Sequence, residues 1–167
     1  MIFRLSLRPL LTRRRIVLQP SAVLCAFLGI LLTACAANPK TACPVTEPVW
    51  AMPPEDAAIA DPPAYGHYFL NEDRSIWASA WWAEQDESYL RVSEEGIKVG
   101  WFRPAGTKLE ITGQRLDAEA PQLEADASCC YPTRFQASGL YFPTEGCWEI
   151  TARAADSKIT FVVWVEP

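Results

Sequence analysis

Apolar and polar side chains alternate along the C-terminal part of the chain. Trp148, Ile150 and Ala152 fall on one face of an extended segment and Glu149, Thr151 and Arg153 on the other, because successive side chains of a strand point to opposite sides. After the break Ala154-Ala155-Asp156-Ser157, the residues Ile159, Phe161, Val163 and Val165 form a wholly apolar face, backed by a mixed one of Thr160, Val162, Trp164 and Glu166. The pattern predicts a terminal hairpin with one buried side. Earlier, His67–Leu70 and Ser75–Trp82 predict two strands joined by the turn Asn71-Glu72-Asp73-Arg74, since Asn and Asp side chains satisfy turn backbone locally. In the second of these, Ile76, Ala78, Ala80 and Trp82 share one face, opposite Trp77, Ser79 and Trp81. Ile97, Val99 and Trp101 alternate with Lys98, Gly100 and Phe102, and Leu109 and Ile111 continue an apolar face after Pro104-Ala105-Gly106, so a second hairpin is expected there. Glu84 to Gly96 is polar around Tyr89-Leu90 and reads as a loop or short edge strand. Gln114 to Ala127 holds one strand, around Leu123.

About seven short strands over roughly 100 residues, with turn chemistry between them and no helical period, predict an all-β sandwich over residues 65–167. A small closed barrel is the competing architecture. No fixed-period repeat or heptad is present. Residues 35–64 carry Pro39, Pro44, Pro48, Pro53, Pro54, Pro62 and Pro63. Such a segment cannot donate a full hydrogen-bond ladder and favours extended polyproline conformations, so a semi-rigid spacer is expected. Cys43, Val49 and Trp50 are the residues by which it would dock on the domain.

Charge is unevenly placed. Arg4, Arg8, Arg13, Arg14 and Arg15 precede the apolar run Ala22–Ala34, and no acidic residue occurs before Glu47. A basic region followed by an apolar one is a secretory signal, here residues 1–34. The run is about 13 residues, against the roughly 20 a helix needs to span a bilayer. Thr12-Arg13-Arg14-Arg15-Ile16-Val17 also fits a twin-arginine motif, but the Leu-rich run and the downstream cysteines favour general secretion. Loss of the leader leaves ten Lys and Arg against twenty Asp and Glu, a formal charge of −10. That balance argues against nucleic acid as a partner, because phosphate neutralisation needs a basic surface.

Leu32-Thr33-Ala34-Cys35 resembles the lipobox of bacterial lipoproteins, in which a branched apolar residue and two small residues precede the modified cysteine. The resemblance implies cleavage after Ala34, a diacylglycerol on the Cys35 thiol and attachment to a membrane of the cell envelope, outside the cytoplasm. Two acyl chains make such an anchor stable where one does not. Gly-Leu-Tyr-Phe-Pro-Thr-Glu-Gly-Cys-Trp-Glu-Ile-Thr, residues 139–151, resembles the closing strands of Ig-like ectodomains in uncharacterised bacterial lipoproteins. This implies an Ig-like form of the sandwich and lends no activity.

Cys25 leaves with the leader and Cys35 is the lipid site, so Cys43, Cys129, Cys130 and Cys147 remain to form disulfides. Of the three connectivities, a Cys129–Cys130 bridge is least favoured, since neighbours bond only with local strain. The expectation is that one of the two pairs with Cys147 and the other with Cys43. The competing use is a soft-metal site of Cys129, Cys130, Cys147 and the lone His67, but the Cys-x-x-Cys knuckle of structural zinc sites is missing. No cofactor is expected.

Catalytic signatures are sparse. The single His limits any Ser-His-Asp arrangement to His67, and there is no Gly-x-Ser-x-Gly elbow, phosphate loop or dinucleotide fingerprint. Glu84, Asp86, Glu87, Glu94, Glu95, Asp117, Glu119, Glu124 and Asp126 could supply the carboxylate pair of a glycan-processing enzyme, yet any acidic soluble domain carries as many. No EF-hand spacing is present. The expected function is binding without catalysis. Seven tryptophans exceed what one small sandwich core encloses. Trp81, Trp82, Tyr131 and Trp164, with Trp101 as a further candidate, are therefore the expected binding surface for a glycan or protein ligand, unless the spacer with Trp50 covers it.

Overall fold

In the computed structural model, which describes residues 39–57, 65–84 and 90–167, ten strands form two sheets. One runs in the order β1 (Val49–Ala51), β2 (Gly66–Leu70), β3 (Trp77–Ser79), β5 (Ile97–Phe102), β8 (Phe135–Tyr141) and β7 (Glu124–Asp126). The other runs β4 (Leu90–Arg91), β10 (Ser157–Glu166), β9 (Gly146–Ala154) and β6 (Leu109–Arg115). All neighbours are antiparallel except β4 and β10. The signal segment 1–34, Cys35, residues 58–64 and residues 85–89 lie outside the described residues.

The apolar faces read from the sequence meet between the sheets. Ile76, Ala78, Val99, Trp101 and Leu140 come from the first sheet, and Trp148, Ile150, Ala152, Ile159, Phe161, Val163 and Val165 from the second. At roughly 25 cal/mol per Å2 of apolar surface removed from water, this layer supplies the main drive for folding. Trp101 donates its indole N–H to Ser138 Oγ at 2.8 Å, so the largest ring of the first sheet is buried with its polar atom satisfied. A second, smaller cluster lies on the outer face of the first sheet, where Trp77 and Phe102 are buried among Tyr68, Leu70 and Phe135.

The sandwich forms as expected, with ten strands in place of about seven. The additional ones include β1, too short at three residues to display an alternation, and β8, whose buried face carries the polar Gln136 and Ser138; β4 and β7 fall where a short edge strand and a strand around Leu123 were expected. The terminal hairpin also forms, with Trp148 opposite Val163 and Ile150 opposite Phe161. The second hairpin does not. Strand β5 is flanked by β3 and β8, which leaves no side for β6, and the chain turns at Gly106 (φ 70) into the opposite sheet to pair with β9. Periodicity reports which face of a strand is buried and is blind to which sheet it joins.

The terminal hairpin turns at Ala155, which sits at φ 51, a left-handed conformation that its Cβ disfavours. Ala155→Gly relieves that cost and partly offsets it through the looser unfolded chain. We expect a net stabilisation of about 0.5 to 1 kcal/mol, read as a higher urea midpoint at constant slope. A lower midpoint would show that the turn is not under strain.

The Pro-rich segment is not a free spacer over its described part. Its described residues belong to the same compact unit as the sandwich. Cys43 is bonded to Cys147, with their Cα atoms 5.6 Å apart. Thr46 binds the open side of β10 twice, its N–H donating to Val162 O and its Oγ1 accepting from Val162 N–H, both at 2.9 Å. Three residues on, β1 adds to the edge of the other sheet with Trp50 opposite His67. Asp56 then accepts from Arg134 Nη1 at 2.9 Å. Residues 43–51 therefore strap one sheet to the other along one side of the sandwich. Among the described residues no helix is long and apolar enough to cross a membrane.

The cysteine pairing differs from expectation as well: Cys147 takes Cys43, and Cys129 is bonded to Cys130. The loop of Cys129 and Cys130 is held at the β5–β6 turn, where Gly106 N–H donates to Tyr131 O, near the Ala154 end of β9. Cys147 is seven residues away along that strand. At about 3.3 Å per residue the gap is roughly 23 Å. A disulfide spans no more than about 7 Å between Cα atoms.

Candidate functional site

A cleft of about 400 Å3 opens on the side where the strap crosses from one sheet to the other. Alternation along β2 sends His67 and Phe69 to the same face. After β3 the chain leaves the extended form for a single 3-10 turn, Trp81–Glu84, which brings Trp82 and Ala83 to the same place. Val163 and Trp164 of β10 form the floor, and Lys40 with Val45–Pro48 of the strap form the remaining wall. Phe69 stacks on Phe161 at 4.2 Å between ring centroids, so the aromatic wall is continuous with the core and rigid.

Further aromatics stand beside His67. Trp50 meets the His67 ring edge-on at 4.8 Å and stacks on Tyr65 at 6.1 Å, and these two rings are 58% and 56% exposed. Exposed, mutually stacked rings next to a cleft make this a candidate recognition surface. On the polar side, Lys40 is paired with Glu166. That contact is the main reason the Glu166 carboxyl is held below the usual range. The Trp164 indole contributes weakly to the same lowering, yet its buried Nε1 has no acceptor at hydrogen-bonding geometry. An indole nitrogen can only donate, and the Glu166 carboxylate is the acceptor it lies toward.

Of the expected binding surface, Trp164 lines this cleft and is partly exposed. Trp82 also lines it but is only 7% exposed, and Trp101 is fully buried; both belong to the core and are not surface residues. Trp81 and Tyr131 are each 44% exposed. Trp81 is fixed by its Nε1 donating to Lys98 O at 2.8 Å, and Tyr131 sits beside Cys130, so these residues do not converge on one patch. The strap does not cover the surface with Trp50; it leaves that ring the most exposed of the exposed large apolar residues. Lys40, Thr46 and Glu47 went unnoticed in the sequence, where the only local signal was the apolar island Val49-Trp50 inside a proline-rich stretch.

The soft-metal set is not assembled, because Cys147 is bonded to Cys43, and among the described residues no three of His, Cys, Asp and Glu gather as a metal site. Of the carboxylates, Glu94 and Glu124 line a shallower cleft of about 310 Å3 with Tyr141 and Phe142. Asp117 does structural service: it accepts from Arg115 Nε at 2.7 Å and from the Cys147 N–H at 3.2 Å, and Arg115 is the first cause of its lowered carboxyl. Asp86 and Glu87 lie outside the described residues. No family profile matches the chain, and no curated protein or solved structure is similar to it at a significant level.

Proposed function

We propose that the protein is a lipid-anchored binding module of the cell envelope, held outside the cytoplasm by acylation at Cys35, and that it binds a glycan through the strap cleft without catalysing a reaction. The cleft carries this reading. Trp164, partly exposed, lines it with the core rings Phe69 and Trp82 and with the polar residues Lys40, Thr46 and Glu47, and Trp50 and Tyr65 stand exposed beside His67. A concave site that is mostly apolar with a few convergent polar groups is the usual form of a ligand site. Amphipathic aromatic rings suit a sugar, whose ring has a C–H face and a hydroxyl rim. A protein ligand is the alternative occupant. The resemblance of Leu32–Cys35 to a lipobox and of residues 139–151 to Ig-like lipoprotein ectodomains supports the location.

The test is retention of the purified protein on insoluble cell-wall glycan, comparing wild type with Trp50→Ala and Trp164→Phe. Each aromatic contact is worth about 0.5 to 1.5 kcal/mol, so affinity should fall up to about tenfold per substitution. Equal retention of all three would remove the cleft as the site. The anchor is tested separately: Cys35→Ser should move the protein out of the membrane fraction, since no thioether can form. Unchanged partitioning with a processed N-terminus would overturn it.

A further inference from the structure

We propose that Cys129 and Cys130 form a two-electron redox site, a surface disulfide opened by a dithiol substrate and separate in role from the Cys43–Cys147 bridge. The two residues are bonded to each other and both are exposed, on the loop between β7 and β8. A bridge between neighbours hardly restricts the unfolded chain, so it adds little to stability, in contrast to one that closes a long loop. It also closes a small ring through one peptide link, and strained, exposed disulfides are the labile ones.

The loop does not depend on this bridge for its order. Gln136, buried on β8, donates from Nε2 to Ser128 O. Arg103 is wholly buried at the end of β5; it donates from Nε to Gln136 Oε1 at 2.8 Å and from Nη2 to Tyr131 O at 3.3 Å. Gly106 N–H donates to the same Tyr131 carbonyl at 2.8 Å. The backbone is thereby pinned immediately before Cys129 and immediately after Cys130. Opening the bridge leaves both anchors in place, which is what a site that cycles between dithiol and disulfide needs.

Arg103 also supplies polarity to the chemistry. Its hydrogen-bond partners, Gln136 Oε1, Pro104 O and Tyr131 O, are all neutral. A cation near a cysteine favours its thiolate, and Arg103 holds its guanidinium on the carbonyl of Tyr131, the residue after Cys130. An incoming thiolate attacks Cys129 Sγ; the Cys129–Cys130 bond breaks and Cys130 leaves as the thiolate. The second thiol of the substrate then resolves the mixed disulfide and releases Cys129. One dithiol becomes a disulfide, and Cys129 and Cys130 gain its two electrons and two protons.

The oxidised full-length protein, purified from the envelope in detergent, is titrated with dithiothreitol, alkylated and mapped by peptide mass. Cys129 and Cys130 should become alkylated at a dithiol concentration at least about tenfold below the one that opens Cys43–Cys147, which is buried at Cys147 and well placed for a bridge. Circular dichroism should be unchanged at that first step. The double variant Cys129→Ser with Cys130→Ser should keep the native fold and lose only that step. The proposal is overturned if both bridges open together, if the two residues are alkylated without reductant, if they link two chains on a non-reducing gel, or if the first step survives in the double variant.

Discussion

Removing the strap disulfide, by Cys43→Ala together with Cys147→Ala, is expected to cost about 4 to 5 kcal/mol of stability. The bridge joins residues separated by 104 positions. In the chain-entropy description, closing a loop of about 100 residues stabilises the fold by about 4.7 kcal/mol at 25 °C. Cys147 is 2% exposed on β9, so the substitution also removes buried sulfur from a packed site. Domains typically hold only about 5 to 15 kcal/mol in total, which puts the variant near the unfolding threshold. Thr46 and β1 still hold the strap locally, so the loss should show in global unfolding more than in local structure. Urea denaturation of the variant beside the oxidised wild type measures it. A loss under about 1 kcal/mol would mean that the unfolded chain is already restricted, or that the strap is held without the bridge.

Trp148→Ala is expected to cost about 3 to 5 kcal/mol, as large-to-small changes at buried aromatics do. Trp148 is wholly buried between the sheets, its ring lies edge-on to Phe142 at 5.5 Å, and its Nε1 donates to Thr144 O at 3.0 Å. No neighbouring side chain can fill the void without leaving its own packed position, because cores are close-packed. The change also leaves the Thr144 carbonyl without this donor. A near-native urea midpoint would show that the site collapses around the smaller side chain. Since Trp148 adjoins Cys147, combining it with the disulfide variant should not give a simple sum.

Much of the cleft was out of reach of local reading. Trp164 was recognisable as an aromatic on the mixed face of β10, but Trp82, expected at the surface only because seven tryptophans exceed one small core, is core, as its apolar face with Ile76, Ala78 and Ala80 implies. The carboxylates were visible and undecided in the same way: Asp117 is tied to Arg115 and the Cys147 backbone by contacts at long sequence separation.

By itself the sequence determined the buried faces of β5, β9 and β10, the terminal hairpin and the all-β sandwich, since a period of two is written in neighbouring residues and burial follows from it, whereas β8 buries Gln136 and Ser138 and hides its period. The crossing of β5 and β6 between sheets, the Cys43–Cys147 and Cys129–Cys130 pairings and the strap that walls the cleft were decided only by tertiary structure. Each depends on which distant segments occupy the two sides of a strand. Strand pairing and disulfide reach are set by distances in space, which neither composition nor alternation carries.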